Sequence, residues 1–152
     1  MEACGCADSA TAYARLGYQE SADAHLMKAR ELWTPTRKDH HGDLDQVAAN
    51  LKIERGHLDE AESFAQASIL RWEGISKRAR TYSGIVLATI YVKAGEPRGL
   101  QLAHSAIDAA DKLSSMRARL RLVPLADALA ARRNSDAQQL ARMARQVAST
   151  RV

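Results

Sequence analysis

The chain has 152 residues, of which 26% are charged and only 5% aromatic, and its 22 Lys and Arg outnumber its 18 acids for a net charge of +4. A chain of this length fits one domain, and a fold of this size buries roughly two-thirds of the surface that the unfolded chain exposes. No apolar stretch approaches the ~18 residues of a membrane span, and the first thirty residues lack the basic-then-apolar layout of a signal peptide, so we expect a cytoplasmic protein without a membrane segment.

The predicted elements are all helices. Strand signals are weak because no alternating runs rich in Val or Thr stand between turn residues. In chain order, the predicted helices span residues 3–16, 19–33, 44–55, 58–72, 77–94, 98–111, 115–131 and 136–148. The predicted fold class is therefore all-α.

Three positions on this chain predict a break or a helix boundary. The segment Thr34–Gly42, with Pro35 and mixed charge, is predicted to be a loop, and Asp43 to be the N-cap of the next helix. Pro97 is expected in the first turn of its helix, where a missing N–H costs little. Pro124 lies inside a predicted helix, where proline removes a helical hydrogen bond, so we expect a kink or a helix restart there.

Four positions spaced by 39 residues fall between predicted helices: Gly17, Gly56, Gly95 and Asn134. The same interval separates four further pairs of identical residues: Trp33 and Trp72, Ser76 and Ser115, Arg78 and Arg117, and Arg80 and Arg119. Glycine adopts a positive φ without a Cβ clash and asparagine tolerates it next best, so each position is predicted to be the left-handed turn inside a helical hairpin. The period predicts repeats over about 1–36, 37–75, 76–114 and 115–152.

Around these turns the chain resembles the tetratricopeptide repeat family, which carries a Tyr four residues before the glycine and an Ala five residues after it. The matching residues are Tyr13, Gly17, Ala22 and Ala29 in repeat one, Ala49, Gly56 and Ala61 in repeat two, and Leu87, Ala88, Tyr91 and Gly95 in repeat three. The family's usual period is about 34 residues, so the longer spacing implies longer helices or connections. The resemblance implies one domain over 1–152, a right-handed α-solenoid of about four hairpins that binds a protein or peptide.

The closing segments, GEPRGLQLAHSAIDAADKLSSMRARLRLVPLADAL and DAQQLARMARQV, are also similar to the C-terminal part of actinobacterial helix-turn-helix transcriptional regulators. This similarity implies an effector or sensor domain, with DNA read by a domain upstream of this chain. Repeat one begins abruptly, without a polar capping element. We therefore interpret the chain as a fragment of a longer protein, or as one whose exposed first hairpin recruits a partner or forms a homodimer.

In the tetratricopeptide family, the first helices of successive hairpins line a concave groove. Carried over by position relative to the glycine, the groove residues are Asp43, Gln46, Asn50 and Ile53 in repeat two, and Tyr82, Ile85, Thr89 and Val92 in repeat three. Asn50 is the strongest candidate, because an amide donates and accepts at once and so holds the main chain of an extended peptide. Arg78 and Arg80, one turn further out, are expected to meet a carboxylate. The predicted binding set is Asp43, Gln46, Asn50, Arg78, Arg80, Tyr82 and Thr89.

The sequence favours no catalytic activity and no cofactor, because it contains no phosphate-binding glycine loop, HExxH helix or GxSxG turn. Cys4 and Cys6 could supply zinc ligands together with histidines, but Cys-x-Cys on a helix directs the two thiols about 200° apart, which disfavours a metal site. The alternative function is nucleic-acid binding by the basic C-terminal end. Residues 112–152 hold nine Lys and Arg against two acids, a net of +7. Arg117, Arg119 and Arg121 fan around their helix, which favours a solvated face over a binding stripe.

Overall fold

The computed structural model describes residues 2–32 and 41–150, and within these residues it contains nine helices and no strand. The helices are α1 (Glu2–Arg15), α2 (Gln19–Leu32), α3 (His41–Glu54), α4 (Leu58–Trp72), α5 (Lys77–Ala94), α6 (Gly99–Asp111), α7 (Met116–Leu120), α8 (Leu122–Ala130) and α9 (Ser135–Ser149). The predicted all-α class is confirmed.

The chain divides into two compact units, Met1–Ile75 and Ser76–Val152. The boundary coincides with the predicted border between repeats two and three. In the first unit, α1 packs mainly on α2 and α3 mainly on α4, and α3 also contacts α1 and α2. Its core is built from small side chains at helical spacing, namely Ala7, Ala10, Ala14, Ala22, Leu26, Ala29, Leu44, Ala48 and Leu51. Alanine lets helix backbones approach closely, which compensates for the scarcity of aromatic residues.

The core of the second unit contains larger side chains than that of the first. Here α5 packs on α6 and α8 packs on α9, while α5 also contacts α8 and α6 contacts α9. Leu122, Leu125 and Leu129 lie one helical turn apart on α8 and are fully buried, together with Ile85 and Ile107. Each such side chain contributes about 1.5–3 kcal/mol on burial, so α8 anchors this unit.

The three glycines at the 39-residue interval occupy equivalent turns. Gly17, Gly56 and Gly95 have φ values of 83°, 76° and 79°. The N–H of each glycine donates to the carbonyl three residues earlier at 3.0–3.2 Å, and the next N–H donates to the carbonyl five residues earlier at 2.9–3.0 Å. This is the Schellman arrangement, which satisfies carbonyls left open at a helix C-terminus. The left-handed turn predicted for these three positions is confirmed.

Asn134 does not continue that series. Its φ is −122° and ψ 133°, and its side-chain oxygen accepts hydrogen bonds from the N–H groups of Asp136 and Ala137 at 2.8 and 3.2 Å. The prediction of a left-handed turn at Asn134 is therefore wrong, because α8 ends four residues earlier, at Ala130, and the asparagine caps the start of α9. The same amide chemistry suits either end of a helix.

We expect Asn134→Ala to lower the free energy of unfolding by about 1 kcal/mol, because two N–H groups of α9 lose their acceptor. Asn134→Gly is the matched control, since a glycine at this position costs only a few tenths of a kcal/mol. Chemical denaturation of the three chains provides the comparison. If the alanine variant unfolded at the wild-type denaturant concentration, the capping role would be refuted.

The serines at the same interval have a shared role that the period alone did not reveal. Ser76 and Ser115 are extended N-caps of α5 and α7, and their hydroxyls accept from the N–H groups of Ala79 and Ala118 at 3.2 and 3.4 Å. The 39-residue period therefore fixes the start of these helices as well as the turns after α1, α3 and α5.

Three local predictions have different outcomes. Helix α3 begins at His41, so Asp43 lies in its first turn and the prediction of an N-cap there is wrong. Residues 34–40 of the predicted loop, and Trp33, lie outside the described residues. Pro97 lies in the turn before α6, whose first residue is Gly99, and not inside the helix as predicted.

The helix restart predicted at Pro124 is confirmed. The helix predicted over 115–131 is two helices, α7 and α8, which meet at Arg121. Pro124 is the third residue of α8. It has no N–H to offer the carbonyl of Leu120, so the chain ends one helix there and begins the next within one turn of the proline.

Candidate partner-binding surfaces

The predicted groove residues of the first unit lie on one face of α3. Asp43, Gln46 and Asn50 are spaced three and four residues apart, which aligns their side chains along the helix. Asp43 and Asn50 are half-buried, whereas Gln46 is 4% exposed. The buried Nε2 of Gln46 has no hydrogen-bond partner within the described residues. The Asn50 amide also forms no hydrogen bond with any described residue. The α3 face thus presents the amide of Asn50, while the unpaired Nε2 of Gln46 lies inside the unit.

The predicted residues of the second unit lie on α5. Arg78, Tyr82 and Thr89 share one face, while Arg80 points about 200° away from Arg78. Arg78 and Arg80 are exposed, but Tyr82 and Thr89 are buried. The structure therefore places Arg78 at the accessible end of a face that is otherwise covered.

Both buried hydroxyls of this α5 face have partners inside the unit. Thr89 donates to the carbonyl of Ile85 at 2.8 Å. The Tyr82 hydroxyl lies 3.5 Å from Ser115 Oγ, and the guanidinium of Arg121 lies 4.5 Å above the Tyr82 ring. These contacts connect α5 to the start of α7 and the start of α8, so Tyr82 has a packing role that its sequence position did not predict.

The basic C-terminal end contains arginines with structural partners. Arg119 is 7% exposed and donates to the Thr150 carbonyl at 2.9 Å, near the C-terminus of α9. Arg132 donates to the Val92 carbonyl at 3.2 Å, near the C-terminus of α5. A cation at a helix C-terminus is favoured by the helix dipole. Arg145 pairs with Asp127 at 3.3 Å on the surface. Arg121, which lies over the Tyr82 ring, also belongs to this group. Nearly half of the nine Lys and Arg in residues 112–152 thus have identified partners.

A shallow pocket of the second unit has a volume of ≈ 210 Å³ and is lined by Val92, Gly95, Glu96, Pro97, Leu100, Arg132, Asn134 and Ala137. It is smaller than the roughly 300–1,000 Å³ of typical small-molecule sites. The guanidinium of Arg132 is already bonded to the end of α5, and the carboxylate of Glu96 opposes an anionic ligand. The pocket therefore carries no ligand-binding assignment.

No grouping of three His, Cys, Asp or Glu side chains among the described residues could hold a metal ion. Cys6 is half-buried and packs against the alanine core of the first unit. The histidines His57 and His104 lie beside single carboxylates on the surface, those of Glu60 and Asp108. The pKa of Glu60 is lowered, first by a hydrogen bond from Lys52 and then by that lysine's charge, while desolvation opposes the shift. This is an exposed ion pair and not a catalytic environment.

Two exposed apolar surfaces were not identified from the sequence. The first, the hairpin-one surface, consists of Tyr13, Leu16 and Tyr18 around the α1–α2 turn; Leu16 and Tyr18 are 70% and 61% exposed. The Tyr13 ring stacks on His25 at 5.0 Å and meets Tyr18 edge-on at 6.3 Å.

The second exposed apolar surface, the α7 surface, lies in the unit Ser76–Val152. It consists of Met116, Leu120 and Val123, which are each 45–57% exposed. A comparison of residue types at equivalent repeat positions would have found both surfaces.

Among the described residues, none of the helices combines the length and the apolar character required to cross a membrane. No protein-family model, no curated protein and no solved structure matches the chain.

Proposed function

We propose that this chain is a non-catalytic, protein- or peptide-binding repeat module that acts in the cytoplasm as the effector or sensor part of a bacterial transcriptional regulator. In this proposal the hairpins stack as a right-handed tetratricopeptide-like solenoid. Three Schellman turns of one geometry at a constant interval, each joining two packed helices, support the repeat architecture.

The observation that carries the binding proposal is the accessible Asn50 amide on α3, which forms no hydrogen bond within the described residues. Gln46 lies one turn away on the same face, but its unpaired Nε2 is buried inside the unit and does not face a ligand. An accessible amide without an internal partner keeps both its donor and its acceptor for a ligand. A peptide backbone offers alternating N–H and C=O groups, which match an amide that donates and accepts.

In the second unit, Arg78 is the accessible residue on the predicted face of α5. Its exposed guanidinium presents a fork of N–H donors that suits a carboxylate on the ligand. Tyr82 and Thr89 act in this proposal by shaping the face beneath Arg78, because their hydroxyls are engaged within the unit.

We expect Asn50→Ala to weaken peptide binding about tenfold, roughly 1.4 kcal/mol, since one amide pairs with ligand backbone. The probe is a peptide selected from a random extended-peptide library on the intact chain, and the measurement is titration calorimetry. Gln66→Ala is the matched control, because Gln66 is an exposed amide on α4 of the same unit that bonds Glu62. Melting temperatures of both variants should match the wild type. Equal affinities for Asn50→Ala and Gln66→Ala would remove the site from α3.

Nucleic-acid binding by the C-terminal end remains the second candidate function. Lys112, Arg117, Arg133 and Arg142 are exposed and form no ion pair within the described residues. They lie at the end of α6, on α7, between α8 and α9 and on α9, and residues 112–152 contain no aromatic side chain for base stacking. A salt titration against duplex DNA separates the two functions. Tight binding whose logarithm falls steeply with log salt would favour this second candidate over the peptide-binding module.

A further inference from the structure

The α7 surface is apolar where the equivalent helix start one repeat earlier is polar or small. Ser76 and Ser115 are equivalent N-caps, so each residue of α7 corresponds to the residue 39 positions before it. The residues that correspond to Met116, Leu120 and Val123 are Lys77, Thr81 and Gly84. Polar or small residues therefore fit these positions in the repeat, and the fold does not require three large apolar side chains there.

The three side chains of the α7 surface form one stripe. Met116 and Leu120 are four residues apart and Val123 follows three residues later, which is the spacing of one helix face. Arg121 joins α7 to α8 with helical φ and ψ values of −71° and −13°, so the turn of the backbone continues across the junction. All three side chains are 45–57% exposed. Apolar side chains that are exposed together, unlike singly scattered ones, indicate a contact surface.

The charged residues next to this stripe are all basic, because residues 112–126 contain no Asp or Glu. Lys112 and Arg117 are exposed, and neither side chain forms a hydrogen bond or ion pair with a described residue. Lys112 corresponds to Glu73 one repeat earlier, so the charge at this position is reversed. Lys112 and Arg117 therefore give the α7 surface a positive charge that is available to a ligand.

The acids at the two ends of this segment are already paired. The carboxylate of Asp111 lies 3.8 Å from the guanidinium of the buried Arg119, and that of Asp127 lies 3.3 Å from Arg145. Each pair is neutral, so neither acid offsets the two exposed cations. The charge complement of the α7 surface is therefore an acidic ligand, and the apolar stripe requires that this ligand also carry apolar side chains.

We propose that the α7 surface binds an acidic amphipathic peptide segment of a partner protein. Apolar side chains of that segment contact Met116, Leu120 and Val123, and its carboxylates pair with Lys112 and Arg117. Amphipathic helices dock in this way, through apolar anchors spaced three and four residues apart. The surface lies within the second unit, and this inference does not depend on the peptide site on α3.

Other acidic or apolar occupants match only part of this surface. Duplex DNA would pair with the cations but leave the apolar stripe unused. Helices that lie in a membrane interface often extend over roughly 20–30 residues, whereas the stripe covers two helical turns. Two α7 surfaces facing each other would bring like charges together, which is unfavourable. An acidic peptide with an apolar face uses both the cations and the stripe.

The test is a fluorescence anisotropy titration of the intact chain with a defined peptide pool. The labelled peptides have about fifteen residues, with Leu, Ile or Phe at spacings of three and four and Glu, Asp or Ala elsewhere. The control pool carries Lys in place of every Glu and Asp. The acidic pool is expected to bind about tenfold more tightly than the basic pool, and its binding should weaken as salt rises.

Two variants locate the binding on α7. Arg117→Glu should weaken binding of the acidic pool about tenfold, because it replaces an attraction by a repulsion. Arg133→Glu is the matched control, since Arg133 is exposed between α8 and α9 and the change in net charge is the same. Leu120→Thr, which introduces the residue found one repeat earlier, should weaken binding about fivefold through lost apolar contact. Asn50→Ala should have no effect on this binding.

Both α7 variants are expected to remain folded, and this is checked by circular dichroism and thermal melting. Arg117 is the second residue of α7, where an acidic side chain is favoured by the helix dipole. Leu120 is exposed, so its replacement leaves no cavity in the core. Melting temperatures near that of the wild type would show that any loss of affinity comes from the surface itself.

The proposal fails if the acidic pool does not bind, or if the acidic and basic pools bind equally. It also fails if Arg117→Glu binds no more weakly than Arg133→Glu, or if Leu120→Thr binds like the wild type. Vesicles of phosphatidylcholine and phosphatidylglycerol and a short DNA duplex are titrated in parallel. Tighter binding of either one, lost in Arg117→Glu, would replace the peptide by that occupant. Self-association in sedimentation that Leu120→Thr abolishes would assign the surface to a second copy.

Discussion

Replacing Gly99 by Ala is expected to lower the free energy of unfolding by about 1–3 kcal/mol, the usual cost of overpacking a close helix contact. Gly99 is the first residue of α6 and is buried against α5. A Cβ at this position would lie 3.0 Å from the Tyr91 carbonyl carbon and from the Val92 nitrogen, and 3.1 Å from the Tyr91 oxygen. These are backbone atoms, so no rotamer change relieves the contact, and α6 must shift away from α5.

Gly84→Ala is the matched control and should have the opposite sign. Gly84 lies inside α5, and a Cβ there meets no atom within 4 Å. Alanine in a helix interior is favoured over glycine by about 0.5–1 kcal/mol, so this variant should be more stable than the wild type. Chemical denaturation of the three chains under one condition gives both changes. If Gly99→Ala were as stable as Gly84→Ala, α5 and α6 would not approach as closely as the structure shows.

The repeat period predicted the hairpin turns because the conformation of Gly17, Gly56 and Gly95 depends on local backbone chemistry. It failed at Asn134 because asparagine suits both a left-handed turn and an N-cap, and the choice depends on where the preceding helix ends. Here α8 ends at Ala130, and Asn134 stands directly before α9 as its N-cap. The predicted helix boundaries were close to the observed ones, but they did not decide between the two roles that asparagine can take.

The candidate site shows a different limit of sequence reasoning. Helical spacing places Arg78, Tyr82 and Thr89 on one face of α5 and directs Arg80 elsewhere, and this much follows from the sequence. Which faces are covered depends on contacts between residues distant in the chain, and five consecutive residues of α5, from Ala88 to Val92, are buried on all sides of the helix. The side chain of Arg119, which reaches the end of α9 from α7, is a contact of the same kind.

Gly56→Val is expected to lower the free energy of unfolding by about 1–3 kcal/mol, since a β-branched residue is strained at a φ of 76°. A Cβ at this position meets no atom within 4 Å, so the change reports backbone strain without a steric clash. At Gly95 the same substitution would be ambiguous, because the Cβ would lie 2.9 Å from the Arg132 guanidinium.

Gly56→Asn is the control for this backbone effect, because asparagine tolerates the left-handed region and should cost less than about 1 kcal/mol. Unfolding in denaturant should therefore rank the wild type above Gly56→Asn and Gly56→Asn above Gly56→Val. The ranking depends only on φ, so it tests whether the 39-residue register places a left-handed turn between α3 and α4. Equal midpoints for Gly56→Val and the wild type would show that the backbone at residue 56 leaves the left-handed region at no cost, and the Schellman turn would lose its role in the hairpin.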